Sequence, residues 1–309
     1  MKKVISSGLF FRLKRDLYKN RYFYIMLIPV LLFYIIFCYF PMYGALIAFK
    51  DYKPALGFLD SPWVGMEYFM EFFQAHDFWK LIRNTLMISF YSLIFAFPAP
   101  IVFAILLNEV RNKHFKRWIQ TITYLPHFIS MVIICGLIIQ FTSSDGIINQ
   151  ICASLTGSST ALISDPNAFR PIYIISGIWQ EVGFGSILYL AAISGIDMEL
   201  YEAAILDGCG KMKQIWYITL PCILPTIVIM LILQVGSIMS VGWEKVFLLY
   251  NPLTYDTADV ISTYVYRKGI QDMDYSYSTA VGLFNSVINF IMIIVANAGS
   301  RKLAKNSLW

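Results

Sequence analysis

The sequence predicts an all-α membrane protein with six transmembrane helices, and two observations lead to that fold class. Of the 309 residues, 58% are hydrophobic and 14% are charged, with a mean hydropathy of +0.63. In soluble domains about a quarter of the residues are charged. Six apolar stretches are also long enough to cross a bilayer, which takes roughly 20 residues each. No long polar stretch could form a separate soluble domain, so one membrane domain accounts for the chain.

The predicted spans follow the apolar stretches in order. They cover residues of about 22–49, 84–107, 119–141, 171–194, 221–241 and 279–299. The transmembrane domain is therefore residues 22–299, between short tails at 1–21 and 300–309. Several spans contain proline, which bundled membrane helices tolerate because their neighbours satisfy the freed carbonyl groups. Tryptophans lie near the span ends, as interfacial aromatic residues do.

Basic residues predict the orientation of the spans. With the N-terminus inside the cell, 16 of the 24 Lys and Arg residues fall in cytoplasmic segments. The outer segments then hold 13 of the 19 acidic residues, counting Glu181 near the outer end of the fourth span. Short loops on the cytoplasmic side of membrane proteins are enriched in positive charge. We therefore expect both termini and the loop at residues 195–220 to be cytoplasmic, and the net charge of +5 to reflect topology and not nucleic-acid binding.

Three longer segments are predicted to lie outside. In segment 50–83, Phe69, Phe72 and Phe73 have helical spacing, which favours an amphipathic helix on the outer membrane surface. Segment 142–170 has the Gly, Ser, Thr and Pro content of an irregular loop. Segment 242–278 is polar and rich in tyrosine.

The cytoplasmic loop at residues 195–220 is a polar island between two apolar stretches. Residues 200–206 favour a helix, and Asp207-Gly208 is typical of the turn that ends one. Residues 211–217 can form a second short helix, which Pro221 is expected to end. The loop should therefore protrude into water as a helix-turn-helix whose small residues allow a partner to approach closely.

The spacing within this loop resembles one known signature. Glu202-Ala203-Ala204, then Gly208, then Ile218-x-Leu220-Pro221 resembles the EAA loop of ABC importer permeases, with Cys209 where that family usually has Ala. Other stretches are similar to the maltose-type carbohydrate permeases, and to their oligo- and polysaccharide branch. These are Trp179-x-x-x-Gly183, residues 247–267 from Phe247-Leu-Leu-Tyr-Asn to Thr-Tyr-Val-Tyr-Arg267, and Lys50-Asp51-Tyr52 with Trp63-Val64-Gly65. The resemblance covers most of residues 20–302.

The resemblance implies a type I ABC importer permease fold in the cell membrane of a prokaryote. This chain would form half of the translocation pathway for a carbohydrate, with an oligosaccharide expected from the branch. The implied partners are a second homologous permease, two cytoplasmic ABC ATPases, an extracellular solute-binding lipoprotein and membrane lipid. The residues implied to couple the permease to the ATPase are Glu202, Ala203, Ala204, Asp207, Gly208, Ile218, Leu220 and Pro221.

The chain itself is expected to be a non-catalytic subunit. It contains no Gly-x-x-x-x-Gly-Lys-Ser/Thr, so ATP and Mg would belong to the ATPase partners and no cofactor to this chain. The three histidines, His76, His114 and His127, lie in different segments and form no metal-ligand pattern. No metal site is therefore predicted.

The substrate pathway is predicted from polar and aromatic residues in and beside the spans, because sugars bind to aromatic faces and planar hydrogen-bonding groups. The candidates are Trp179, Gln180, Glu181, Ser186, Gln234, Ser237, Trp243, Glu244, Asn285 and Asn289. The amide and hydroxyl groups can equally join helices to one another, and the tryptophans can be interfacial anchors. Glu181, interpreted as lying near the outer end of the fourth span, is the preferred candidate because an acid in a span needs a cavity or a partner.

Two alternatives stay open from the sequence. The first is an ABC permease for another solute, such as a glycerol-phosphate-like compound, although the spans contain no Lys or Arg near their middles. The second is an ion-coupled secondary transporter, which usually keeps ionisable groups at mid-membrane. A membrane enzyme has no support in the sequence.

Overall fold

The computed structural model describes residues 15–16, 18–157 and 161–303. This part of the chain is mainly helical and contains no strand, and its one β-type contact is an isolated antiparallel bridge between Lys50 and Trp63. Six helical segments within it are long and apolar enough to cross a membrane, which confirms the predicted fold class. They are Arg21–Phe49, Phe78–Glu109, Met131–Leu155, Pro166–Ser194, Lys211–Gly236 and Tyr275–Arg301.

The α-helices are numbered in chain order. They are α1 Arg21–Phe33, α2 Phe40–Met42, α3 Gly57–Asp60, α4 Glu67–Gln74, α5 Phe78–Tyr91, α6 Pro98–Glu109, α7 Lys113–Tyr124, α8 Met131–Thr142, α9 Ile147–Thr156, α10 Pro166–Ser194, α11 Met198–Leu206, α12 Lys211–Gln214, α13 Leu220–Gly236, α14 Trp243–Leu249, α15 Tyr255–Ala258, α16 Ile261–Tyr266 and α17 Tyr275–Leu303. Short π-helical turns interrupt the spans at Tyr34–Tyr39, Ser92–Ala96 and Ile215–Thr219, and another follows α16 at Arg267–Gln271. Three 3₁₀ segments lie at Tyr43–Phe49, Leu125–Phe128 and Leu162–Ser164.

The third span differs from its prediction at 119–141. The chain leaves helix α7 at Tyr124, passes through the 3₁₀ turn that contains Pro126, and starts α8 only at Met131. Proline lacks the N–H that a continuing helix needs, and Ser130 caps the new helix by accepting a hydrogen bond from the Ile133 N–H. The segment expected to be an irregular loop after it contains helix α9. The apolar pattern therefore joined two helices that the structure separates.

The fourth span starts five residues earlier than predicted. Asp165 caps α10 by accepting a hydrogen bond from the Asn167 N–H at 2.8 Å, and Pro166 occupies the first helical position. A capping carboxylate followed by proline is a typical helix start, since the proline needs no donor there. Helix α10 therefore runs for 29 residues, from Pro166 to Ser194.

Helix α10 lies at the centre of the unit formed by the residues from Glu67 onward. One cluster of buried side chains joins it to α6 and α13, through residues such as Ile101, Tyr189 and Ile223. Gly183 lets it approach the end of α7, because a Cβ atom at that position would overlap the Thr123 backbone carbonyl. Small residues at such crossings allow membrane helices to pack closely.

Helix α4 forms where the phenylalanine spacing predicts a helix, and its buried phenylalanines pack on other parts of the protein. Phe72 is 1% exposed, and its ring contacts those of Tyr264, Tyr277 and Phe284. Phe69 is also buried, whereas Phe73 is partly exposed. The tyrosine-rich segment 242–278 provides part of this packing surface, which sequence periodicity alone could not show.

The residues up to Met66 form a second compact unit. Within it, the two short motifs quoted from the outer segment pair with each other. Lys50 bridges to Trp63, and the Val64 N–H donates to the Phe49 carbonyl at 2.9 Å. The rings of Phe49 and Trp63 stack 5.8 Å apart, and Lys50 donates to the carbonyls of Phe58 and Leu59 in α3.

Candidate functional site

The loop between the fourth and fifth spans is an ordered helical element. Asp197 caps α11 by accepting a hydrogen bond from the Glu199 N–H at 3.0 Å. At the other end, Gly208 has a φ of +73°, the left-handed conformation that favours glycine. The Cys209 N–H donates to the Ala204 carbonyl at 2.8 Å, and the Gly208 N–H donates to the Ile205 carbonyl at 3.0 Å. This pair of bonds is the Schellman arrangement that ends helices at a glycine, so the predicted turn at Asp207-Gly208 is present.

The second half of the loop is continuous with the fifth span, which the sequence did not predict. Helix α12 passes through the π turn at Ile215–Thr219 into α13 without a break. Pro221 lies in the first turn of α13 and does not end the unit, because a proline there removes a donor that the widened π turn can spare. Ile218 and Leu220 are partly exposed parts of the same helix.

Two hydrogen bonds hold the loop in shape. The Gln214 side chain donates to the Cys209 carbonyl at 3.0 Å, and the hydroxyls of Tyr201 and Thr219 lie 2.9 Å apart. The first closes the turn onto α12, and the second ties α11 to the base of the fifth span. The loop can therefore transmit a displacement of α11 directly into a membrane-spanning helix.

The outer face of this loop exposes apolar side chains to solvent. Leu206 is 89% exposed, and Ile205 and Met212 are also exposed. Glu202 and Ala203 are exposed beside them, whereas Ala204 is half-buried. Large apolar side chains exposed beside an exposed carboxylate on one short loop are typical of a protein interaction site.

A cavity of about 600 Å³ lies between α10, α13 and α14. Five of the ten residues predicted for a substrate pathway line it, namely Gln180, Glu181, Gln234, Trp243 and Glu244. Neither amide side chain makes a hydrogen bond to another residue in the part of the chain that the structure describes. Both groups are therefore available to a polar ligand.

The sequence interpretation placed Glu181 near the outer end of the fourth span. The structure corrects this, because Glu181 lies near the middle of helix α10. Its Oε2 atom is 2.9 Å from Nδ1 of His127, in the 3₁₀ turn between α7 and α8. The His127 ring stacks on Phe184 with centroids 3.8 Å apart and planes within 2°. Glu181 thus has both a partner and a cavity, and the partner is a histidine that the sequence did not link to the substrate pathway.

The other five predicted pathway residues do not line this cavity. Ser186 is fully buried and donates to the Gly183 carbonyl, so it serves the helix itself. Asn289 accepts a hydrogen bond from the Met239 N–H and donates one to Ser240, which fixes the chain after α13.

Ser237 donates to carbonyls of the helix that it ends and lines a smaller adjoining pocket. Trp179 is half-exposed and does not line the cavity, and the buried Oδ1 atom of Asn285 has no hydrogen-bond partner among the described residues.

Lys245, which no sequence pattern predicted as a site residue, lines the cavity from α14. It is 5% exposed, and its ammonium group donates to the Tyr173 carbonyl at 3.1 Å. No local pattern distinguishes it from a surface lysine, because α14 lies outside the apolar spans and only the tertiary fold places it against α10. Among the described residues no group of three potential ligands could hold a metal ion.

A six-span helical protein with a polar cavity and an ordered, exposed loop between two spans is the membrane subunit of a transporter. The comparison with protein families agrees. Residues 96–305 match the family described as "Binding-protein-dependent transport system inner membrane component", and the chain belongs to it. It is thus a multi-pass protein of the inner membrane, and the ion-coupled alternative loses its support.

Two relatives from Bacillus subtilis (strain 168) match nearly the whole chain. Protein LplB is 48% identical over 307 residues, which cover 99% of this chain and 96% of LplB. The polygalacturonan/rhamnogalacturonan transport system permease protein YteP is 41% identical over 299 residues, 96% of this chain and 93% of YteP.

Solved structures give the same fold. A chain of a bacterial ABC transporter involved in the import of the acidic polysaccharide alginate is 45% identical. The superposition has a TM-score of 0.87 and covers 94% of this chain and 99% of that one. A chain of the alginate transporter in complex with an alginate pentasaccharide-bound periplasmic protein gives a TM-score of 0.88 at 44% identity, over 96% and 100% of the two chains.

Proposed function

We propose that this chain is a permease subunit of an ATP-driven ABC importer that carries an oligosaccharide. The observation that carries the proposal is the loop from Met198 to Gln214, an exposed helix-turn-helix continuous with a membrane span. ATP hydrolysis can drive transport only if the motion of the ATPase reaches the membrane helices. A rigid loop joined directly to α13 meets that requirement.

The ATPase would dock on the exposed face of this loop. Leu206, Ile205 and Met212 would enter a groove of the partner, and Glu202 would pair with a basic residue at its edge. Lys211 already pairs with Glu109 at the end of α6 at 3.0 Å, so motion of the loop would also reach the second span. The predicted orientation, with both termini in the cytoplasm, places this face where ATP is available.

The remaining partners follow from the same proposal. A second homologous permease would complete the pathway, a pair of ATPases would bind both loops, and an extracellular binding protein would deliver the cargo. The alginate transporter was solved with such a periplasmic protein. The cargo is proposed to be a carbohydrate because relatives are named for polygalacturonan, rhamnogalacturonan and alginate, and because the cavity offers planar amides beside an aromatic ring.

The test is to place a charge in the docking face and leave the membrane domain unchanged. Leu206→Asp should reduce co-purification of the ATPases and abolish the stimulation of ATP hydrolysis by loaded binding protein, because a carboxylate would be desolvated in the groove. Leu253→Asp is the matched control, since Leu253 is 68% exposed in the segment before α15. The proposal fails if Leu206→Asp transports and couples as well as the control.

A further inference from the structure

The buried cation of the cavity is an unusual feature that the proposed function does not use. Lys245 is 5% exposed, and its Nζ atom lies 5.0 Å from the centre of the Tyr173 ring as well as within hydrogen-bond distance of that residue's carbonyl. Gly177, one turn further along α10, leaves it room, because a Cβ atom there would lie 3.3 Å from Nζ. The ammonium group is therefore held at a fixed place in the cavity wall.

No carboxylate pairs with this cation in the part of the chain that the structure describes. The nearest candidate along α10, Glu181, is engaged with His127 at 2.9 Å. The second acid of the wall, Glu244, is exposed and makes no ion pair among the described residues. Lys245 thus uses one of its three donors, on the Tyr173 carbonyl, and keeps two for a ligand.

An unpaired buried charge is costly, so proteins keep one mostly where it has a task. Burial lowers the pKa of Lys245 from 10.5 to about 8, while Cys135 and Glu181 act in the opposite direction. The amine is still mostly protonated at neutral pH. An incoming anion would therefore meet a positive, poorly hydrated donor, the condition in which a charge-assisted hydrogen bond is strong.

The groups around Lys245 are those that bind a sugar. Trp243 lies on the same helix, 47% exposed, with its ring stacked on Tyr266 at 5.7 Å. The free amides of Gln180 and Gln234 line the same cavity. An aromatic face and planar amides can hold a pyranose ring, and neither provides the charge that an acidic sugar needs.

We propose that Lys245 forms a subsite for the carboxylate of a uronic acid unit, so that the cargo of this permease is an acidic oligosaccharide. The inference rests on the proposed function and adds a charge to its substrate. Lys245 would donate to the carboxylate from the wall of the cavity, with Trp243 against the sugar ring and the amides on its hydroxyls. Glu181 and Glu244 would repel the carboxylate from the other parts of the wall and so set its position.

The experiment uses the complete importer in proteoliposomes, with both permeases, the ATPases and the binding protein. The probes are a trimeric oligogalacturonate and its methyl ester, which has the same sugar ring without the charge. Uptake and ATP hydrolysis are measured with saturating, loaded binding protein, so that differences between variants arise in the permease. The variants are Lys245→Met, Lys245→Arg and, as the control, Lys268→Met, which removes a lysine outside the cavity.

Lys245→Met is expected to lower uptake of the free acid at least tenfold and uptake of the ester less than twofold. Lys245→Arg should retain most of the uptake of the acid, and Lys268→Met should resemble the wild type with both probes. An equal loss of both probes in Lys245→Met would overturn the proposal, since it would show a structural role. If the importer with Lys245→Met does not assemble, the wild-type importer provides the test. Equal uptake of the acid and of the ester by the wild type would also overturn the proposal.

Failure of the proposed function would look different. In that case no saccharide stimulates ATP hydrolysis in the wild type, and Leu206→Asp changes nothing. A wild type that imports only uncharged oligosaccharides, with Leu206→Asp uncoupled, would leave the importer assignment standing and remove the uronate subsite alone.

Discussion

Nδ1 of His127 lies 2.9 Å from Oε2 of Glu181, and this contact joins the turn between α7 and α8 to the middle of helix α10. The stacked ring of Phe184 fixes the imidazole from one side. Glu181 lines the cavity, and both side chains of the pair are partly exposed, His127 at 30% and Glu181 at 52%. The acid that the sequence singled out therefore has a side-chain partner of its own, and Lys245 is the cation without an ion pair among the described residues that line the cavity.

The coupling of this pair can be measured with a double-mutant cycle. We expect His127→Ala and Glu181→Gln each to destabilise the protein and the double variant to lose less than the sum. Because both side chains are partly exposed, the coupling energy should be about 0.5–1 kcal/mol. Thermal unfolding of the purified complex in detergent measures it, and strictly additive effects would mean that the contact contributes nothing.

Gly183 should tolerate no side chain. Gly183→Ala would press a methyl group onto the Thr123 backbone, and overpacking of this kind costs about 1–3 kcal/mol. Gly136 on helix α8 is the matched control, because a Cβ atom there would meet nothing within 4 Å. Unfolding midpoints of the two alanine variants in detergent check the prediction, which is wrong if both equal the wild type.

The ion pair of Asp259 and Arg267 should be a large contributor to the stability of the segment before the sixth span. Asp259 is 1% exposed and accepts hydrogen bonds from Thr263 at 2.9 Å and from Arg267 at 2.6 Å. The hydrogen bonds and charge of Asp259 raise the pKa of Arg267, against the effect of its burial. Asp259→Asn would leave that guanidinium buried without its partner, at a cost of about 3 kcal/mol.

The control for this pair is Asp272→Asn. Asp272 pairs with Lys268 at 2.9 Å, one helical turn apart and partly exposed, so its loss should cost about 0.5 kcal/mol or less. Denaturation in detergent measures the loss of unfolding free energy in Asp259→Asn and in Asp272→Asn. Similar losses would mean that burial does not decide the strength of these pairs.

The uptake of an acidic oligosaccharide should depend on pH near 8. Below this value Lys245 carries its charge, and above it the proton is lost because burial lowers the pKa. The titratable groups that face or lie near it are Tyr173 and Glu181 on α10, Cys135 on α8 and Glu244 on its own helix. Uptake of oligogalacturonate should fall as the pH rises from 7 to 9, and uptake of its ester should not.

Lys245→Arg should remove this decline, since a guanidinium stays charged throughout that range. A decline of the same size in Lys245→Arg would assign the pH dependence to another component of the importer. Both measurements use the binding protein loaded at constant pH, so that only transport is compared.

Local patterns in the sequence were sufficient to predict some parts of the structure. The glycine after α11 is a local signal that ends a helix, and the loop has the predicted helix-turn-helix form around Gly208. Apolar length likewise gave six spans. Both depend on interactions within a few residues of chain, which a sequence displays directly.

The predictions that were wrong concern features that depend on contacts between distant residues, or on a helix break that the hydropathy average does not reveal. The apolar average across Pro126 hid a turn between two helices. Asn289 has the polar side chain expected of a pathway residue, but it binds the backbone of the chain after α13. Lys245 becomes notable only once α14 folds back over Gly177 and α10. Cavities are made by the packing of separate elements, so their residues could be predicted only in part.

We expect an ATPase to bind the loop from Met198 to Gln214, and site-directed cross-linking tests this contact most directly. Ala203 is exposed, so Ala203→Cys in a Cys209→Ala background would place one thiol on the docking face. With a short bifunctional reagent, membranes of the native host should yield an adduct of the permease with the ATPase, in an amount that changes on adding ATP. The Cys209→Ala background alone should yield none. If Ala203→Cys forms no such adduct in membranes that still import the cargo, the claim is contradicted.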